Sequence, residues 1–290
     1  MAIDLIPHAL CLPFLNDFST LLSLEEQPLM TDFQETYTPC PQYLDLIDTI
    51  KSFYATHAIQ PDKTPIFWLL PDLTGNEQVM MTLMQTLTKS FPGQSLHSLT
   101  RLYPYGDVSF QMAWSTAQEL LLADNQSEIW LVAVDYISQR KDTAIQQVTG
   151  VGLASMILKP SDTGLYQRDF IAEATLDPQQ FNPFQSFFER FSQQINLSVD
   201  TMFVPVLQEG NANGAFVPWL DAFASLGEHA SPFIKFAQPQ YRFGDVGCLS
   251  AFCTILLIKQ CLEQKKNPCS AIQVGQTKRY QAASLFEWKA

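Results

Sequence analysis

The sequence predicts a duplicated α/β fold, two copies of one strand–helix unit, and three observations carry that expectation. Tyr105-Gly106-Asp107-Val108 is echoed by Phe243-Gly244-Asp245-Val246, an offset of 138 residues (244 − 106 = 138). Each copy opens a long apolar segment with helical spacing and few breakers, residues 109–123 and 248–262. Each segment then runs through a polar turn, 124–128 or 264–268, into an apolar strand, 129–134 or 269–274.

The remaining elements follow in the same order in both halves. Residues 3–14 read as a first strand, and amphipathic stretches at 43–56 and 184–195 carry aromatic and aliphatic residues at helical spacing. Residues 66–72 match 203–209 as the next strand. Asp107 and Asp245 stand where a helix N-cap belongs, with side-chain oxygens suited to free backbone N–H groups. After the long helices, 152–158 matches 281–287 as a closing strand. Each half therefore reads strand, helix, strand, helix, strand, long helix, strand, strand, with residues 1–160 as the first half and 161–290 as the second, packed as one unit.

Composition excludes several function classes. The 290 residues carry 29 acidic against 17 basic side chains, a net charge of −12, which repels a phosphate backbone and argues against nucleic acid as a partner. Residues 1–15 have no basic leader, and no run of 18 apolar residues is present, so neither export nor a membrane span is expected and a cytoplasmic location follows. The six cysteines form no CxxC and the four histidines are scattered, so no metal site is expected. GxGxxG and GxxxxGK[ST] are both missing, so no cofactor is expected either.

At these elements the chain resembles the thiolase-like superfamily, and within it the β-ketoacyl synthases. Residues 129–135 resemble the strand after the family's nucleophile helix, and Thr149-Gly150-Val151-Gly152-Leu153-Ala154-Ser155-Met156-Ile157-Leu158 resembles its "GEGAAALVL" segment. Residues 204–210 are similar to the strand leading to "HGT", 244–250 to the "GHxxGAAG" turn, and 276–288 to the closing "GFGGTNA" hairpin. The resemblance implies a five-layered α/β sandwich with pseudo-twofold internal symmetry.

It also implies where catalytic groups would stand, and there the chain departs. The nucleophilic cysteine maps to Val108 or Ser109, and no cysteine occurs between Cys40 and Cys248. The first histidine maps to Glu209, the second to Gly244 or Asp245, and the lysine falls near Pro239. With all of these replaced, condensation by the family mechanism is expected to be absent. Only 12 glycines are present, few for a backbone shaped around an acyl thioester.

Other residues are weighed for a different chemistry. Ser109 begins a helix and is a candidate nucleophile, with capping the plainer reading. Asp107, Glu209 and Asp245 are candidates to converge as general acid and base; capping accounts for the two aspartates, and Glu209 has no such explanation. Cys248 lies in a first helical turn, where its pKa could be lowered or its side chain simply packed. His97 and Arg242 read as a hydrogen-bonded and a solvated side chain.

The expected function is that of a pseudoenzyme, a non-catalytic accessory or adaptor subunit that binds a protein partner. The resemblance offers two contexts, a subunit paired with an active ketosynthase and a type VI secretion-associated protein. The alternative is an enzyme or ligand-binding protein with altered acyl-type chemistry and a small acyl-type ligand at the degenerate site. The family's subunits pair through the strand before the first long helix, which maps to residues 94–102. Ser95, Leu96, His97, Ser98 and Leu99 are thus the expected interface, for a homodimer or another protein.

Overall fold

The computed structural model describes residues 1–12, 15–24, 43–57, 62–75, 77–90, 96–123, 126–140, 147–174, 183–194, 197–205, 224–243, 246–265, 268–277 and 279–290. The first half holds β1 (Ala2–Cys11), α1 (Phe18–Ser23), α2 (Tyr43–Thr56), β2 (Ile66–Leu69), α3 (Glu77–Ser90), β3 (Arg101–Tyr103), α4 (Ser109–Leu122), β4 (Ile129–Arg140) and β5 (Gln147–Ser161). The second holds β6 (Gly164–Ala174), α5 (Pro183–Ser192), β7 (Val199–Phe203), β8 (Ala230–Ala237), α6 (Gln240–Phe243), α7 (Leu249–Glu263), β9 (Ser270–Gln276) and β10 (Tyr280–Lys289).

Ten strands form one mixed sheet in the order β3-β2-β4-β5-β1-β6-β10-β9-β7-β8. In the first half β2 runs parallel to β3 and β4, while β5 lies antiparallel between β4 and β1. The second half repeats the pattern, with β7 parallel to β8 and β9, and β10 antiparallel between β9 and β6. The halves meet where β1 and β6 pair at Ile3 and Leu165. Gly164, with φ of +148°, lets the chain approach the Ile3 carbonyl more closely than any side chain allows.

Burial explains the layering. The sequence of β2, Ile-Phe-Trp-Leu, is apolar on both faces because helices cover both sides of this parallel core. From Leu249 to Ile258 every residue of α7 is buried, which marks an interior helix. The largest core cluster joins α4 and α7 to the inner faces of both half-sheets. A second cluster lies between α2 and α3 and the outer face of β2 and β4, and a third between α5 and the outer face of β7, β9 and β10. Helix, sheet, helix, sheet, helix is the five-layered sandwich with pseudo-twofold symmetry that the sequence led us to expect.

Two details of the sequence reading are corrected. The halves superimpose in a register three residues away from the Gly-Asp-Val echo. Gly106 and Gly247 both turn with positive φ, +59° and +58°, at the same point before α4 and α7, an offset of 141 (247 − 106 = 141). The earlier strands shift too: Leu70 N–H donates to Tyr103 O (2.9 Å) and Val204 N–H to Ala237 O (3.0 Å), so 66–71 matches 200–205 rather than 203–208.

The second correction concerns the expected interface strand. Of the described residues in that stretch, Arg101 and Leu102 pair with β2, as does the next residue, Tyr103, while Leu96, His97, Ser98 and Leu99 precede them without strand pairing. There Leu99 N–H donates to His97 Nδ1 (3.2 Å) and Thr100 N–H to His97 O (2.8 Å), which closes a turn. The three-residue leucine spacing fits that turn and not the period of a strand. Ser95 lies outside the described residues.

Candidate functional site at the buried helix N-termini

The two central helices begin in the same way. Before α4 a one-turn 3-10 helix, Gly106–Val108, directs the chain inward, and Ser109 follows fully buried. Ser109 Oγ accepts Tyr105 N–H (2.9 Å) and faces Tyr103 O (2.7 Å) and Leu70 O (3.3 Å) as acceptors for its proton. Before α7, Ser250 Oγ accepts Val246 N–H (3.3 Å), four residues back as in the first half. Both hydroxyls tie a turn to its helix. Among the described residues Ser109 Oγ is held by backbone groups, with no base beside it that would activate a nucleophile.

The halves contact each other at these turns. Asp135, near the middle of β4, is buried, and its Oδ2 accepts Cys248 N–H (2.7 Å) at the start of α7. Its Oδ1 accepts Tyr136 N–H (2.7 Å). A carboxylate placed there complements the positive end of the helix dipole. Gly247 makes this possible, since a Cβ at that position would run into the Asp135 carboxylate. On the other side of the pseudo-twofold, Gly275 of β9 packs against the α4 turn. There the Gln111 amide, oriented to satisfy both neighbours, donates to Asp107 O (2.9 Å) and accepts Gly275 N–H (3.2 Å).

Electrostatics oppose a reactive thiol. Cys248 is fully buried, with Sγ 3.4 Å from Leu69 O and 3.5 Å from Val134 O. Burial first, then the carboxylates of Asp135 and Asp107, push its pKa well above the ordinary thiol value. The helix N-terminus that could have lowered it is already matched by Asp135.

Beside these turns the described residues line a small, partly open recess of about 20 Å³, bordered by Asp107, Pro205, Pro239, Ser250, Thr254 and Gln273 among others. That is the room one water molecule needs. Gln273 Nε2 donates to Ala251 O (2.8 Å), while its buried Oε1 has no partner among the described residues.

Of the residues expected at the site, Asp107, Val108 and Ser109 lie together at the α4 turn. Glu209, Gly244 and Asp245 lie outside the described residues. Arg242 belongs to α6, where its N–H donates to Pro239 O (2.8 Å). Sequence reasoning missed Asp135, Gln111 and Pro205. Asp135 directly follows the predicted strand 129–134, a buried-strand acid whose partner 113 residues away no local pattern reveals. Pro205 would have emerged from the three-residue shift, because it matches Pro71. Among the described residues no group of three or more His, Cys, Asp or Glu side chains is placed to hold a metal. No described helix is long and apolar enough to cross a membrane.

No family model and no curated protein sequence matches the chain. Solved structures do match in fold. The ishigamide ketosynthase/chain length factor aligns over 100% of both chains at 10% identity, with a TM-score of 0.56. AntDE:AntF, a type II polyketide synthase acyl-carrier protein in complex with its ketosynthase, aligns over 99% of each chain at 12% identity and a TM-score of 0.53. Ketosynthase twelve of the bacillaene polyketide synthase from Bacillus amyloliquefaciens aligns over 84% of this chain and 59% of its own at 9% identity, TM-score 0.53. At such identities the likeness is one of fold, and that fold is the thiolase-like fold of ketosynthases.

Proposed function

We propose that this chain is a non-catalytic thiolase-fold subunit that works by binding a protein partner, as an accessory to an active ketosynthase. The α4 N-terminus carries the reading. Where the fold would present a nucleophile stand Asp107, Val108 and a Ser109 whose hydroxyl is buried and bonded to backbone. The raised pKa of Cys248 supports it, since a buried thiol held in its protonated form is a poor nucleophile. A ketosynthase/chain length factor is a fold neighbour that spans the chain end to end, which favours this context over the type VI secretion-associated one.

The surface proposed for pairing is the β3 edge of the sheet, with the turn at Leu96, His97, Ser98 and Leu99 beside it. An unpaired edge offers backbone N–H and C=O groups to another strand. Cross-linking in the native cell, with mass-spectrometric mapping, tests this. Cross-links from residues near 96–103 to a ketosynthase are the expected result. Condensation of acyl thioesters by the purified chain alone would overturn the reading.

A further inference from the structure

We propose that His8 and His57 form an acid-sensitive latch, which holds the C-terminal end of α2 on the sheet and releases it when both rings carry a proton. His57 follows α2 directly, and its N–H donates to Phe53 O (3.1 Å). His8 projects from β1 to meet it, with ring centroids 4.6 Å apart and planes at 71°. His8 also stands edge-on to Trp130 (4.7 Å), and His57 against Phe53 (4.7 Å). Ser155 Oγ, 3.1 Å from His8 Nδ1, fixes how that ring is turned. The two imidazoles thus close the rim of the aromatic cluster of Phe53, Tyr54, Trp68 and Trp130 beneath α2.

Neutral rings in this arrangement attract edge to face. Two imidazoliums at this separation repel. The charged groups on the packed elements have partners elsewhere. Glu128 accepts from Trp130 Nε1 (3.1 Å) and pairs with Lys159 (3.1 Å) across β4 and β5. Asp48 pairs with Lys51 along α2, and Asp4 of β1 pairs with Lys259. Among the described residues no carboxylate lies within ion-pair distance of either ring.

His8 is solvent-exposed, and partial desolvation, then the His57 charge, lowers its pKa below its ordinary 6.5. A depressed histidine means that the unfolded state binds the extra proton first. The docking of α2 is therefore complete above the ordinary histidine value and is lost as pH falls through the lower, folded one.

Amide hydrogen exchange at pH 7.5 and 5.5, corrected for intrinsic rates, reads the latch. Protection of the α2 amides should drop by about tenfold at the lower pH while β4 and β5 keep theirs. His57→Gln, which removes one charge, should abolish that drop. Equal protection of α2 at both pH values, or a His57→Gln protein with the wild-type drop, overturns the proposal. If the variant does not fold, the wild-type imidazole NMR titration decides. Two coupled, separated steps support the latch, and two independent single-step curves overturn it.

Discussion

Gln118 of α4 and Lys259 of α7 occupy the same position in the two halves, and each bonds the backbone of the first strand of the opposite half. Gln118 accepts Gln167 N–H and donates to Gln167 O, both at 2.8 Å, on β6. Lys259 Nζ donates to Leu5 O (2.8 Å) and to Asp4 Oδ1 (3.3 Å) on β1. Beyond the pairing of Ile3 with Leu165 the two strands part, so these backbone groups lack a strand partner and the helices supply one.

Replacing Gln118 by Leu leaves the Gln167 N–H and C=O buried and unpaired, a loss of about 2–4 kcal/mol. Lys259→Met should cost less, about 1–2 kcal/mol, since one carbonyl is orphaned at a half-buried site. Lys259→Gln should recover part of that loss, because it recreates the side chain of the other half. Urea unfolding of the three variants checks the order.

Asp135 is the second element of the seam. Asp135→Ala removes the acceptor of Cys248 N–H and Tyr136 N–H and should destabilise by about 2–3 kcal/mol. Asp135→Asn keeps an acceptor but loses the charge at the α7 N-terminus, for about 0.5–1.5 kcal/mol. The midpoint of thermal unfolding should fall in that order.

Burial also sets an alkaline limit. Cys248 is pushed well above its ordinary value, and burial pushes Cys253 up to about 12. A raised thiol pKa stabilises the fold below the unfolded value near 9 and is lost as pH rises through the folded value. From pH 9 upward each of these two thiols should therefore lower unfolding free energy by about 1.4 kcal/mol per pH unit. Native maleimide labelling at pH 8 should modify the exposed Cys11 and spare both, with labelling of the pair only after unfolding.

The long elements were legible because their patterns are physical. The apolar run at 109–123 became α4, and that at 248–262 became α7, shifted by a single residue. What failed was the use of identity as register. Gly-Asp-Val repeats by letters, whereas the position that needs positive φ repeats 141 residues apart, as Gly106-Asp107-Val108-Ser109 and Gly247-Cys248-Leu249-Ser250. The shared Gly-x-x-Ser was visible, and its meaning as a turn with a serine tie was not. Gln118 and Lys259 were beyond sequence reasoning, since unlike side chains serve one backbone need and only the parting of β1 and β6 reveals it. Residues 94–102 were read as a strand because the resemblance places the family's pairing strand there, although their three-residue leucine spacing does not suit strand alternation.

Whether a nucleophile remains at the α4 or α7 N-terminus is the central question, and intact-mass spectrometry after incubation with acetyl and malonyl thioesters addresses it directly. The buried Ser109 hydroxyl and the protonated Cys248 thiol predict an unchanged mass and no condensation product. A stable acyl adduct mapped to Ser109 or Cys248 would contradict the account.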